Sequence, residues 1–206
     1  MFQSWFVELV SLLSNICVGV SAIVVAGMSV YGIRQWQREL KGRSKFEIAR
    51  KMTLLAFQFQ DELRTARSPA TFVGESVERT KGDDETPGER NIRDEHFARS
   101  MRLRPLQETM VKLREASWEA EALLIEGADK LIQPFEEAYR GLSISITFFF
   151  NIQLEMQKAS DKYVIPPALL DNHHKTIYGS GDADEISNAV DIAVVKLTTQ
   201  MKKCVQ

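Results

Sequence analysis

Residues 9–33 read LVSLLSNICVGVSAIVVAGMSVYGI and contain no charged side chain, a feature that constrains this chain more than any other. A helix rises about 1.5 Å per residue, so this run extends roughly 37 Å and can cross a hydrocarbon core of about 30 Å. Tyr31 and Trp36 lie near its end, where aromatic rings favour the headgroup boundary. The run therefore predicts a transmembrane helix over residues 9–33.

Two other interpretations of the run are weaker. Val24, Val25 and Ala26 before Gly27 would suit cleavage of a signal peptide, but no Lys or Arg precedes the run. The run is also longer than the signal-peptide core of about 7–15 residues. A buried helix of a soluble protein seldom needs so long an uncharged stretch, although the overall composition of 44% apolar residues would suit a soluble domain. We favour an uncleaved anchor.

The charges on either side of the run predict its orientation. Glu8 is the only charged side chain before it, whereas residues 34–51 contain seven basic and two acidic residues, a net charge of +5. Because basic segments stay in the cytoplasm, we expect residues 1–8 outside and the bulk of the chain inside a bacterial inner membrane. The total charge of −2 then leaves −6 for residues 52–206.

The basic collar directly after the run is a candidate lipid-binding segment. It consists of Arg34, Arg38, Lys41, Arg43 and Lys45. A basic side chain near an anionic membrane surface contributes about 1 kcal/mol of attraction, so anionic headgroups are the expected partners. A topology signal without specific lipid recognition is the alternative.

Beyond the collar, apolar residues at helical spacing predict an all-α fold in which the transmembrane helix continues into a cytoplasmic bundle of about four main helices. Gly42 is the weak point of the first helix, which we expect to end at Ser68 before Pro69. Two glycines, a proline and clustered charges predict a flexible loop over residues 69–91. The rest of the bundle occupies residues 92–206.

The remaining elements are predicted from the same spacing. We expect a helix over residues 94–126, with a kink or a fresh start at Pro105, and a long helix after Asp129. Within it, residues 142–152 alternate polar and apolar side chains as a strand would, but the helical spacing on both sides favours a helix. The last elements are a short helix over residues 168–177 and a helix over residues 185–203, the latter with Asp182 and Glu185 as a capping box.

Small residues in the predicted span suggest self-association. Gly19, Ala22 and Ala26 fall on one side of a helix, and such surfaces let two membrane helices approach closely. Asn15 could add a hydrogen bond between the helices. A homo-oligomer is therefore a possible state of the chain.

The sequence contains no pattern that carries a known chemistry. It lacks a phosphate-binding glycine loop, a nucleophile elbow, a Cys-x-x-Cys pair and a His-Glu-x-x-His helix. His96, His173 and His174 are expected to be solvated or capping residues, and Cys17 and Cys204 to stay unpaired. We expect no enzymatic activity, no cofactor, no metal and no nucleic-acid partner.

Three segments resemble a recurring type of bacterial protein that has one N-terminal membrane helix and a helical cytoplasmic domain. They are Trp36-Gln-Arg38-Glu39-Leu40-Lys41-Gly42, Phe46-Glu47-Ile-Ala49-Arg50 and Leu63-Arg64-x-x-Arg67-x-Pro69. The resemblance is best over residues 9–69 and continues as general helical layout. It implies the anchor, the orientation and the inner-membrane setting, and it brings no activity, cofactor or catalytic residue.

Together these features predict a membrane-tethered, non-enzymatic helical interaction or oligomerisation module with an unknown protein partner. One alternative is a membrane-perturbing effector of stress or phage defence, for which Ser11, Ser14 and Asn15 would give the span a polar lining. A second alternative is a cryptic enzyme or metal-binding protein that uses His96 or His173 with acidic neighbours.

Overall fold

The computed structural model of the chain describes residues 2–70, 74–123, 125–159, 166–179 and 184–205, with side chains from Cys17 onward except those of Ala159 and Val205. Within these ranges the fold is all-α, as predicted. Four long helices and one short helix follow each other in the order α1 (Phe2–Ala66), α2 (Pro87–Ala122), α3 (Ala128–Ala159), α4 (Pro167–Tyr178) and α5 (Glu185–Val205).

The chain divides into two compact units, residues 1–44 and residues 45–206. The first unit consists of the N-terminal part of α1, which includes the predicted span and is helical through Gly42. The second unit contains the rest of α1 together with α2–α5.

The core of the second unit is built on the apolar stripe of α1 that the sequence predicts. Met52, Phe59 and Leu63 recur at spacings of 7 and 4 and are at most 1% exposed. The ring of Phe59 meets the ring of Phe135 edge to face, with centroids 5.2 Å apart. Since α3 also contacts α2, α4 and α5, it is the helix around which the others pack.

Helix α2 begins seven residues before its expected start, inside the segment that the sequence predicts to be a loop. Thr86 and Glu89 form a capping box, with the Glu89 N–H donating to Thr86 Oγ1 at 3.3 Å and the Thr86 N–H donating to Glu89 Oε2 at 2.9 Å. Pro87 fits the first turn because no helical partner is needed for its missing N–H. The loop prediction was wrong over residues 87–91, and α2 continues through Pro105 as one helix.

Residues 142–152 are helical, as favoured over the strand alternative. Leu142, Ile146, Phe149 and Phe150 are buried, which is the spacing of one helical face rather than of every second residue. Ser145 is buried beside them, so the alternation of polar and apolar letters does not describe two sides of a strand.

The short helix α4 and the C-terminal helix α5 lie close to their predicted positions. Gly179 follows α4 with φ of +77°, a conformation that L side chains rarely adopt. Asp184 precedes the first residue of α5, and its carboxylate accepts a hydrogen bond from the Ser187 hydroxyl. The N-cap is therefore Asp184, and the predicted cap, Asp182, lies outside the described residues.

Candidate interaction surfaces

The predicted span exposes apolar side chains along its described part. One helix among the described residues, Cys17–Ala66, is long and apolar enough to cross a membrane, with a window of mean hydropathy 1.6. Ser21 and Ser29 donate their hydroxyl protons to the carbonyls of Cys17 and Val25, at 2.7 and 2.8 Å. Such bonds within the helix satisfy hydroxyls where lipid offers no partner.

Gly19, Ala22 and Ala26 share one side of this segment, as predicted from their spacing of three and four residues. All three are exposed, and a Cβ built on Gly19 would meet nothing within 4 Å. The surface is open to the close approach of another helix. The side chain of Asn15, the predicted polar contact, lies outside the described residues.

The five residues of the basic collar have different surroundings. Arg34, Arg38 and Lys41 are exposed at spacings of four and three, which places them on one side of α1. Arg43 instead pairs with Glu39, with Nη2 and Oε1 2.7 Å apart. Lys45 is half-buried at the start of the second unit. Three of the five predicted cations therefore form one exposed basic row.

In the second unit, α1 and α5 lie side by side and expose an apolar surface. The amide of Gln60 donates to Asp191 Oδ1 at 2.5 Å, and Arg64 Nη2 lies 3.4 Å from the same oxygen. Five apolar side chains of these two helices remain between 49% and 68% exposed. We call them the α1–α5 face: Phe46, Leu54, Phe57, Ile192 and Val195.

A groove of about 390 Å³ opens between α1 and α5 at one end of this face. Phe46, Leu54 and Met201 give it apolar walls, while Arg50 and Lys202 bring positive charge to it. Neither Arg50 nor Lys202 forms an ion pair with any residue that the structure describes.

The α1–α5 face was not predicted from the sequence, although the part of it that belongs to α1 is visible there. Phe46, Leu54 and Phe57 form a second apolar row on α1, outside the core stripe that contains Met52 and Phe59. A helix that buries only one of its sides does not require a second apolar row, so these residues indicate another contact. The other half depends on the packing of α5 beside α1, which the spacing within either helix does not reveal.

A group of buried arginines connects the ends of the helices. Arg67, which is 5% exposed, donates from Nε to the Thr176 carbonyl at 2.9 Å and from Nη2 to the Lys175 carbonyl at 3.2 Å. It also pairs with Asp184 through both terminal nitrogens. Burial alone would raise the pKa of Asp184, but the hydrogen bonds from Arg67 and Ser187 outweigh it and the pKa is lowered. Arg67 thus joins the end of α1 to α4 and α5.

Arg99 on α2 is fully buried and supports the same end of the second unit. Its Nη1 donates to the Ser68 carbonyl at 2.5 Å, and its guanidinium lies 4.5 Å from the centre of the Tyr178 ring. The Tyr178 hydroxyl donates to Glu95 at 2.5 Å, and burial together with this bond raises the pKa of Tyr178. Because no face of Arg99 is open, we assign it a structural role.

The three histidines contact consecutive aromatic rings of α3. His96 and His173 are half-buried there, contrary to the expectation of solvated residues, whereas His174 is exposed as expected. Their ring centroids lie 5.3 Å (His96–Phe150), 4.6 Å (His173–Phe148) and 5.9 Å (His174–Phe149) apart. Burial lowers the pKa of His96. Among the described residues, no three metal-binding side chains come together.

An arginine also orders the part of the predicted loop that the structure describes. Arg79 lies between Glu85, at 2.7 Å, and Asp94, at 2.5 Å. The hydrogen bond from Arg79 lowers the pKa of Glu85 from 4.5 to about 2. The segment from Arg79 to Glu85 is thereby fixed to the first turns of α2.

This ion pair predicts a pH dependence of stability. Since the pKa of Glu85 is lower in the folded than in the unfolded chain, its contribution is complete above about pH 4.5 and is lost as the pH falls towards 2. Glu85→Gln should therefore lower the thermal midpoint at pH 7, and its difference from the wild type should disappear near pH 2. Thermal melts followed by circular dichroism in detergent measure this.

The matched control is Glu78→Gln, which changes an exposed carboxylate of the same loop. We expect its midpoint to follow that of the wild type at every pH. A Glu85→Gln difference that stayed constant from pH 7 to pH 2 would contradict the assigned ion pair.

Comparison of the chain with protein-family models, curated proteins and solved structures finds no matching family, relative or fold.

Proposed function

We propose that the chain is a membrane-tethered, non-enzymatic interaction module of the bacterial inner membrane. The observation that supports this most is the exposed α1–α5 face, carried by a chain that also has a 25-residue uncharged segment. Exposed apolar patches on soluble domains commonly mark contacts with proteins or membranes. An anchor would confine such a contact to the membrane surface.

The tether is supported by residues 9–33 and by the row of cations that follows. Arg34, Arg38 and Lys41 lie directly after the apolar segment and on one side of α1, where they can meet anionic headgroups of the cytoplasmic leaflet. The positive-inside rule then favours an external N-terminus and a cytoplasmic second unit.

Cysteine labelling tests this topology. In a Cys17→Ala background, a cysteine introduced by Gln3→Cys should react with a membrane-impermeant maleimide in intact spheroplasts. The native Cys204 should react only after lysis. The reverse pattern would contradict the proposed orientation, and release of the chain by an alkaline carbonate wash would contradict the anchor itself.

Self-association through the span is the second part of the proposal. Ala22→Ile and Ala26→Ile would hold two helices apart, so we expect dimerisation of the full chain in liposomes to weaken on the order of tenfold, about 1.4 kcal/mol. Energy transfer between labelled copies at varied lipid dilution measures it.

Ser21→Ile is the control for this pair, because it adds the same bulk to a small residue on another side of the helix. If all three variants and the wild type gave the same energy transfer, the small residues would not form the contact.

The alternative of a membrane-perturbing effector gains no support from the described part of the span. Ser21 and Ser29 direct their hydroxyls to carbonyls of their own helix, not to a polar pathway. The side chains of Ser11, Ser14 and Asn15 lie outside the described residues.

A further inference from the structure

We infer that the α1–α5 face binds an amphipathic helix of a partner protein, one that carries acidic residues at one end of its apolar stripe. This inference rests on the proposed function and specifies the chemistry of the partner. Its basis is the combination of an apolar groove with an uneven distribution of charge along the same face.

The apolar part of the face does not serve the fold. The core side of α1 is already covered, with Met52 and Phe59 fully buried, whereas Leu54 and Phe57 are 56% and 49% exposed. On α5, Leu197 is buried and Val195 is 67% exposed. Each helix therefore presents a second apolar row beside that of the other helix. Burial of these rows against a partner would stabilise a complex, less the costs of association.

The charges along the face differ between its two ends. Arg50 and Lys202, which have no acidic partner among the described residues, lie at the groove beside Phe46. At the other end, Asp61 is exposed, and Asp191 is held by Gln60 and pairs with Arg64. Cations without partners beside an apolar groove favour an occupant with carboxylates at that end.

A second copy of the chain fits this charge pattern poorly. Symmetric pairing with the α1 helices parallel would bring Arg50 and Lys202 of the two copies together, and like charges in an interface are costly. Antiparallel pairing would place the basic end against the acidic end. That end also carries Arg64, which already pairs with Asp191, so the charges there are largely matched within each copy.

An anionic lipid surface fits poorly for a related reason. Residues 52–206 carry a net charge of −6, and Asp61 and Asp191 belong to the same face as the groove. Anionic headgroups spread over this face would meet these carboxylates as well as the two cations. A single helix with localised acidic residues would meet the cations alone.

A partner helix with apolar residues at positions i, i+3 or i+4, and i+7 suits a groove between two helices. One apolar side chain would enter the groove lined by Phe46, Leu54 and Met201, and the next would cover Phe57 and Val195. Acidic residues one turn before the first would reach Arg50 and Lys202.

The test uses the full chain in nanodiscs of neutral phosphatidylcholine and two synthetic 18-residue helical peptides. Both peptides carry leucines at positions i, i+4 and i+7, and one has three glutamates where the other has three lysines. Fluorescence anisotropy, corrected for binding to empty nanodiscs, should show the glutamate peptide binding at least tenfold more tightly. In the double variant Arg50→Glu, Lys202→Glu the preference should reverse.

Leu54→Asp should abolish binding of the glutamate peptide. Val111→Asp, which places the same charge at a 46% exposed position of α2, should leave binding unchanged. Because all these positions are exposed, the far-ultraviolet circular dichroism of each variant should match that of the wild type.

Several results would overturn the inference. Two concern the peptides: equal affinity for both, or no binding of either. Two concern other occupants: dimerisation of the full chain, or binding of anionic vesicles, that Leu54→Asp abolishes. Correct membrane topology with no peptide preference would refute the inference alone. Peptide preference in a chain that fails to insert would refute the tether and leave the binding face supported.

Discussion

Phe59→Ala is expected to lower the free energy of unfolding by about 4 kcal/mol, the largest effect of any single apolar truncation proposed here. Phe59 is fully buried on α1, and its ring meets Phe135 of α3 edge to face at 5.2 Å. The substitution removes the buried ring, leaves a cavity and abolishes an aromatic pair that contributes about 0.5–1.5 kcal/mol.

Urea unfolding of the full chain in detergent, followed by circular dichroism at 222 nm, measures this loss. Phe57→Ala, two residues earlier on the same helix, is the matched control, since Phe57 is 49% exposed. We expect it to change stability by less than about 1 kcal/mol. Equal losses for Phe57→Ala and Phe59→Ala would mean that the core of the second unit is not the one described.

Arg67→Ala is expected to lower the free energy of unfolding by about 3–5 kcal/mol, which is the usual cost of removing one partner from a buried ion pair. Arg67 and Asp184 are 5% and 15% exposed, so removal of the guanidinium leaves a carboxylate without its cation in a largely dry site. The carbonyls of Lys175 and Thr176 also lose their donor.

Two variants separate this effect from a general loss of positive charge. Arg64→Ala removes an arginine that is 59% exposed and pairs with Asp191 at 3.4 Å, and should cost no more than about 1 kcal/mol. Arg67→Met combined with Asp184→Asn should recover part of the loss, because the unpaired charge is then absent. If the double variant were less stable than Arg67→Ala, the ion pair would not explain the effect.

The helices that the sequence predicted well are those whose core stripe is uninterrupted. On α3, residues Leu142, Ile146 and Phe149 continue the spacing of four and three from both flanks, which is why the strand interpretation of residues 142–152 could be set aside. On α1, the stripe from Met52 to Leu63 marks the buried side directly. Local periodicity carries this information because each helix buries one face.

Elements that depend on a few polar contacts were not predicted. The proline, glycine and charged residues around Pro87 are typical of a loop, but the reciprocal bonds of Thr86 and Glu89, with Pro87 in the first turn, start a helix there. Arg67 and Arg99 would ordinarily be placed in solvent. Their partners include carbonyls of Thr176 and Ser68, which no side-chain pattern identifies.

The candidate surfaces also differ in whether the sequence alone identifies them. The small-residue row and the exposed cations of the first unit follow from spacing along one helix, and the sequence identifies both. The α1–α5 face joins residues from opposite parts of the chain, as the bond from Gln60 to Asp191, 131 positions apart, illustrates. Its composition can be known only after the neighbours of α1 are known.

That separation in sequence has a consequence for how the protein is made. At translation rates of about 5 to 20 residues per second, roughly 7 to 26 s pass between synthesis of Gln60 and of Asp191. During this interval the buried core that α1 shares with α5 is incomplete. The nascent chain therefore needs either a chaperone or rapid packing onto α3, and a ribosome that stops before α5 releases a product with an uncovered core, a natural substrate for quality-control proteolysis.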